Sequence, residues 1–390
     1  MRVERLAVER FRNLRQVELF PDPEVNLIYG NNAQGKTNLV EAIYLLTGQK
    51  SFRQVKDSDL VLFGEQQAVL SADFFAGGRS QQATLTIGTK KTATLNEVAI
   101  PPTELTGRFY AVVFSPTELS LIKDGPSLRR AFLDSAISQV MPRYLKTLAA
   151  MNRALYQRNS LLGEMRNRTG LEDTLDAWDH SLCRLSYAVI HARRRYVARL
   201  EPCARENYGA IASDKEQLSL SYQSSVAADW DGMTNAEGER AVLTALTASR
   251  QEDIRCGFTT VGPQRDDLEL AIDGVSARSF GSQGQQRSSA LALKLAECSL
   301  IEEICGEAPV VLLDDVLSEL DKGRRDFFLR GVSHGQLFIT SCEPLSMRYL
   351  GYGKRIRVVD GTATTPRSRK RKGACTDVSP SGAGNGHSDG

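Results

Sequence analysis

Three stretches hold residue types that could do chemistry, and their spacing says which. Gly30-Asn31-Asn32-Ala33-Gln34-Gly35-Lys36-Thr37 has the G-x-x-x-x-G-K-T pattern of a phosphate-binding loop. Its glycines let the backbone curl so that N–H groups point inward. There they and the positive end of a following helix hold a polyphosphate. Lys36 would reach the β and γ phosphates, and the Thr37 hydroxyl would ligate Mg²⁺. Further on, the apolar run Pro309 to Leu313 ends in Asp314-Asp315. A phosphate-binding loop needs such a carboxylate for Mg²⁺. Asp314 takes that place, and Asp315 could polarise the attacking water. Two adjacent buried carboxylates repel each other, so a functional use is expected of them. The third stretch is Ser279-Phe280-Gly281-Ser282-Gln283-Gly284-Gln285-Gln286-Arg287. Ser282 can cap a helix that starts at Gly284, and Gly281 and Gly284 leave room for close backbone approach. With Gln283 and Gln285 alongside, this is a second helix start suited to an anion. One nucleotide does not need two such sites from one chain. Two chains facing each other do, each completing the other's phosphate site.

The elements that must position these stretches follow from periodicity. Val3, Leu6 and Val8, then Val17 and Leu19, then Val25 to Tyr29 read as strands, and Asn38 to Leu46 as the helix after the glycine loop. Residues 50–60 are polar, as either a contact loop near the phosphates or a solvated connector. From Gln67 to Val98, short alternating runs broken by Gly77-Gly78 and Gly88 read as an antiparallel meander. Tyr110 to Phe114 reads as a buried strand. The period then turns helical over Ser127–Val140, Arg143–Met165, about Leu175–Glu206 and about Ala236–Arg250, so an all-helical insertion is expected between Phe132 and Arg250. Its third helix carries Trp178, Leu182, Leu185, Val189, Tyr196 and Leu200 on one face. On the other is the basic triplet Arg193-Arg194-Arg195, which meets DNA phosphates or is a solvated face. Strands are expected again at Phe258–Val261 and Leu268–Ile272, the latter followed by the hairpin signal Asp273-Gly274. A helix from Gly284 to Ile304, the strand before Asp314, a helix over Lys322–Leu329, and strands at Gln336–Ser341 and Ile356–Val359 complete the series. The expected division is residues 1–125 and 251–360 as two parts of one α/β lobe, 126–250 as a helical arm, and 361–390 as a disordered basic tail.

Composition sets bounds on the rest. The chain has 390 residues, 41% of them hydrophobic and 25% charged, as in ordinary soluble domains. Apolar runs are short and broken by charge, and Met1 to Arg5 lacks the apolar core of a signal peptide, so a cytoplasmic protein with no membrane span is expected. Seven scattered cysteines and four separated histidines argue against a disulfide framework, a zinc site or a histidine-based triad. Net charge is +2 overall, but the stretch from Thr364 onward holds five basic and two acidic residues, or +3, which leaves about −1 elsewhere. A nucleic-acid face must therefore be a local patch.

Ser282-Gln283-Gly284-Gln285-Gln286 resembles the signature motif of ABC-type ATPases, and Ser318-Glu319-Leu320-Asp321 is similar to their D-loop, which crosses a dimer interface. The place of their switch histidine holds Thr340-Ser341. A hydroxyl there could touch a γ-phosphate oxygen but carries no proton as imidazole does, so slow hydrolysis is expected. Further stretches are similar to the RecF family of SMC-like ABC ATPases. They are Gly30 to Asn38, Val113-Phe114-Ser115-Pro116-Thr117-Glu118-Leu119, Gly125 to Asp134, and Gly262-Pro263-Gln264-Arg265-Asp266-Asp267. Gln264 departs from the family's usual His, and no Gln stands at Phe114-Ser115-Pro116, the best candidate for a Q-loop. The resemblance implies an ABC-type ATPase head with an antiparallel meander and an inserted helical arm. It implies ATP and Mg²⁺ as cofactors, and an ATP-dependent homodimer on duplex DNA near single-strand gaps. It also implies RecR and RecO as partners in loading RecA. A transporter ATPase subunit shares the motifs, but about 245 residues separate Lys36 from Ser282, room for an arm. An adaptor using ATP as structural glue stays open. The insertion is too short for the long coiled coil of a full SMC tether.

Overall fold

The computed structural model describes residues 1–390 apart from 167–169, 213–214, 333–334, 343–352 and 366–390. In chain order come β1 (Arg2–Phe11), β2 (Leu14–Leu19), β3 (Val25–Tyr29), α1 (Lys36–Leu45), β4 (Ala68–Ala76), β5 (Arg79–Ile87), β6 (Thr92–Leu95), β7 (Val98–Ile100) and β8 (Ala111–Phe114). A helical series follows: α2 (Pro116–Leu119), α3 (Pro126–Val140), α4 (Pro142–Met165) and α5 (Glu172–Ala212). Next are β9 (Leu218–Gln223), α6 (Asn235–Ala248), α7 (Arg250–Cys256), β10 (Asp267–Ile272), β11 (Val275–Ser276), α8 (Ala277–Phe280) and α9 (Gln283–Cys305). The last are β12 (Val310–Leu313), α10 (Lys322–Gly331), β13 (Leu337–Ser341), β14 (Lys354–Val359) and β15 (Thr362–Thr364).

The central sheet has the order β15-β14-β3-β13-β12-β8, with all neighbours parallel except the edge strand β15. Its strands are apolar on both faces because both are covered. Successive side chains point to opposite faces, so Val112, Phe114, Leu313 and Ile339 enter a core with the helices, and Val113, Leu312 and Phe338 enter a second core. The second core holds α1 between the central sheet and the antiparallel sheet β2-β1-β4-β5-β6-β7. That is why α1 is buried from Leu39 to Leu45 rather than on a single stripe. Strand β4 alternates buried and half-buried residues along its whole length, as a meander strand with one covered face must.

Five expectations give way to tertiary context. The insertion is not all helix: Leu218–Gln223 forms β9, which pairs antiparallel with β10 across six residue pairs. Phe258 to Val261 is not a strand; Thr259 and Thr260 instead donate to Asn159 and Asp253. The third helix runs on to Ala212, a length of 41 residues or about 60 Å. Arg193 leaves the basic face altogether. It is 2% exposed, bound to Asp134 and to the Pro263 carbonyl, so Arg193, Arg194 and Arg195 are not one solvated cluster. At the other end, Thr362–Thr364 pairs with β14, so the segment from Gly361 begins as strand. The basic run Arg367 to Lys372 lies outside the described residues.

Candidate nucleotide site

The glycine loop joins β3 to α1 at the carboxyl edge of the central sheet. Gly35 sits at φ 113° and caps α1, a conformation that a side chain would strain, and a Cβ there would stand 2.7 Å from Asn13 Oδ1. A Cβ on Gly30 would stand 2.3 Å from the Val358 carbonyl, so β14 passes too close for any other residue. Ala33 is left-handed without being glycine (φ 64°), a strain of the kind found at ligand-holding loops. Asn31, Asn32 and Ala33 are exposed at the tip, with Asn32 Oδ1 accepting from Cys342 Sγ. Lys36 is 9% exposed, and its Nζ lies across the loop, donating to the Gly30 and Asn31 carbonyls at 2.7 and 2.8 Å.

The two Mg²⁺ candidates meet. Thr37 Oγ1 and Asp314 Oδ1 are 2.9 Å apart, although 277 residues separate them. Octahedral Mg²⁺ with bonds of about 2.1 Å places neighbouring ligand oxygens about 3 Å apart, so this hard-oxygen pair fits the ion. Thr340 stands behind the pair rather than in front of it. Its hydroxyl donates to Asp314 Oδ1 at 3.0 Å and accepts the Asp315 N–H at 2.9 Å. Burial holds the Asp314 carboxyl above its usual range, against the lowering effect of the Thr37 and Thr340 hydroxyls. Sequence leads to the expectation that both adjacent carboxylates are buried, but only Asp314 is. Asp315 turns outward at φ 56°, exposed, with Ser318 Oγ donating to its carbonyl.

The signature stretch forms the start of α9, one residue earlier than expected. Ser282 Oγ accepts from Gln285 N at 3.2 Å, and Gln285 Oε1 accepts from Ser282 N at 2.8 Å, a reciprocal cap. Ser282 and Gln283 are exposed. Gly284 lies against Arg324, whose Nη2 would be 3.2 Å from a Cβ built there. The partners of this segment are Glu216, Ala277 and Arg278, and none of the hydrogen bonds among the described residues joins it to Gly30–Thr37. The structure thus brings Thr37, Lys36, Asp314 and Thr340 together, and among the described residues Ser282–Gln285 makes no hydrogen bond to them.

Residues 2–358 match the model of the RecF/RecN/SMC N-terminal domain. The chain belongs to that family. The DNA replication and repair protein RecF of Ruminiclostridium cellulolyticum is 37% identical over 344 residues, 87% of this chain and 92% of that protein. RecF of Acetivibrio thermocellus is 36% identical over 367 residues, 93% of this chain and 99% of that protein. The structure of the recombination mediator protein RecF-ATPrS in the RecFOR pathway superposes with a TM-score of 0.87 at 34% identity, covering 93% of this chain and 98% of that one. The Smc head domain of Pyrococcus furiosus, bound to the C-terminal domain of ScpA, has a TM-score of 0.52 at 15% identity over 93% of this chain and 95% of that one, which shows a shared fold. The architecture is that of an ABC-type ATPase head with an antiparallel meander and long helical segments.

Within this RecF-like frame, the site has supports that spacing alone did not disclose. The β1–β2 turn leans on the glycine loop: Asn13 Nδ2 donates to the Ala33 carbonyl at 3.2 Å, and Asn38 Nδ2 donates to Asn13 Oδ1 at 2.7 Å. Arg12 grips Glu41 of α1 with two N–H groups, at 3.0 and 2.9 Å, and Glu41, fully buried, also accepts from Ser51. Arg53 of the polar 50–60 loop reaches Asn38 Oδ1 at 3.0 Å. Gln34 is held from the far end of the chain, by the backbone N–H groups of Asp360 and Gly361. A signal existed for one of these: Arg12-Asn13 is a polar pair in a tight turn between two strands, the position where a sheet can present side chains to a neighbouring loop.

Proposed function

We propose that this chain is an ATP-driven DNA-binding switch of recombinational repair and replication-fork maintenance, acting in the cytoplasm as an ATP-dependent homodimer. The observation that carries it is a division within one molecule. Lys36, Thr37 and Asp314 are gathered at the glycine loop, while the capped start of α9, with Ser282 and Gln283 exposed, shares no hydrogen bond with that loop among the described residues. Two copies facing each other place each Ser282 segment against the other's phosphates. In this reading Gly30 to Asn38 holds the triphosphate, Thr37 and Asp314 hold Mg²⁺, and Asp315 orients the attacking water. Ser282, Gln283, Gly284 and Gln285 bind from the partner side, and Thr340 steadies Asp314. Mg²⁺, when bound, neutralises phosphate charge. Nucleotide that binds only the closed dimer shifts the population towards it, and slow hydrolysis releases it. Residues 126–250 serve as the arm. With RecR and RecO, the dimer on duplex DNA beside a single-strand gap promotes RecA loading, as the RecFOR likeness supports. Sedimentation with and without ATP, on gapped duplex DNA and free of it, tests this reading. ATP should convert monomer to dimer, and Ser282→Arg should block the conversion while leaving ATP binding intact. A chain that stays monomeric with ATP and DNA alike overturns it.

A further inference from the structure

The signature segment has a side-chain contact to Glu216, which stands two residues before β9. Gln285 Nε2 donates to Glu216 Oε1 at 2.9 Å. The other oxygen, Oε2, accepts from the Tyr208 hydroxyl at 2.6 Å, and Tyr208 is fully buried on α5. Burial and the Glu216 carboxylate together hold the Tyr208 hydroxyl protonated, so it stays a donor. Next to Glu216, Gln217 exchanges hydrogen bonds with Asp273 in the β10–β11 turn, N to Oδ1 and O to N, both at 2.9 Å. The link between α5 and β9 is therefore strapped both to the hairpin that precedes the signature and to the signature itself.

The chemistry of the contact decides an orientation. A side-chain amide offers a carbonyl oxygen at one end and N–H donors at the other, and the two ends are nearly the same shape. An ionised carboxylate only accepts, so Glu216 draws the NH₂ end of Gln285 to itself. That leaves Oε1 facing the Ser282 N–H, the bond that closes the reciprocal cap. Turned the other way, Gln285 would set donor against donor at the Ser282 N–H and acceptor against acceptor at Glu216, and the cap would lose the Gln285 side-chain bond.

We infer that Glu216 is a positioning residue: its carboxylate fixes the Gln285 amide and thereby couples the long helix to the segment that faces the partner's nucleotide. This rests on the proposed role of that segment in the closed dimer. The coupling runs both ways, so movement of the end of α5 alters how tightly two copies close, and closure steadies α5.

The test uses the full chain. Glu216→Ala should weaken ATP-dependent dimerisation about 10-fold, read by sedimentation, while ATP affinity of the monomer holds. Glu216→Gln keeps one acceptor and should recover most of the loss, and Tyr208→Phe should weaken dimerisation less than Glu216→Ala. Gln285→Ala should reproduce the defect, and the double variant Glu216→Ala/Gln285→Ala should be no worse than either single one. Additive losses in the double variant, or normal dimerisation of Glu216→Ala, overturn the inference. Ser282→Arg run beside them separates the two levels. If it also dimerises normally, the reading of the segment has failed. If it blocks dimerisation while Glu216→Ala does not, only the role of Glu216 has failed.

Discussion

The two helix starts suited to phosphate are built in opposite ways. The loop before α1 is strained and enclosed: Gly30, Ala33 and Gly35 all have positive φ, Gly35 and Lys36 are buried, and the β1–β2 turn and the β14–β15 turn both hold it. The start of α9 has no residue of positive φ between Ser279 and Arg287, and its cap is closed by its own side chains. Its glycines serve contact, not conformation: a Cβ on Gly281 would stand 2.4 Å from the Ala277 carbonyl. In the proposed dimer, the site that acts within one chain is fixed by backbone geometry from several directions, while the one offered to the partner needs only to stay ordered at the surface.

Substitutions can break or sharpen that contrast. The largest expected effect is at Lys36. Lys36→Ala removes a preorganised cation from the enclosed site, so ATP turnover should fall about 10²–10³-fold, and nucleotide binding should be lost in the monomer. Nucleotide binding that survives in the monomer would show that the loop backbone holds nucleotide without this cation. Next is Arg129, 2% exposed, which grips Asp267 at the start of β10 with two bonds of 2.7 Å and also donates to the carbonyls of Leu121, Ile122 and Asp124. Asp267 is partly exposed, so Arg129→Ala should cost about 2 kcal/mol in urea unfolding rather than the full penalty of a buried pair. Because β10 leads into the signature hairpin, dimerisation should weaken while ATP affinity of the monomer holds, and the reverse pattern would invert the contrast. The smallest effect is at Ala33, where glycine relieves a left-handed backbone. Ala33→Gly should gain about 1 kcal/mol in thermal stability. No gain would show that the strain is already relieved by the Asn13 contact.

Much of the fold was legible because its signals are local. Alternation marked β4 and β5, continuous apolar runs marked β8, β12 and β13, and the pattern of Gly30 to Thr37 marked the glycine turn between β3 and α1. Asp314 was legible too, since an apolar strand ending in a carboxylate has few other uses, and its meeting with Thr37 followed. What sequence could not show depends on partners far away in the chain. Strand β9 is the short polar alternation Leu218-Ser219-Leu220-Ser221 after a long helix, and only β10 makes it a strand. Arg193 reads as one of three like charges until Asp134, Tyr222 and the Pro263 carbonyl gather round it. Thr340 reads from sequence as a phosphate contact, and nothing there shows that its hydroxyl also serves Asp314 and the Asp315 N–H. Arg12, Asn13 and Glu41 carry no motif at all, because their role is to brace a loop that lies far from the turn in sequence.

The β14–β15 turn has a mechanical meaning. Asp360 and Gly361 hold Gln34 through backbone N–H groups, and a Cβ on Gly361 would stand 2.0 Å from the Asn13 carbonyl. The last described strand is thus a lever whose fulcrum is the nucleotide loop. A load applied at Thr364 would pass along β15 to the turn that holds Gln34 and lies against Asn13. Force on that end would act as a tuning peg on nucleotide affinity.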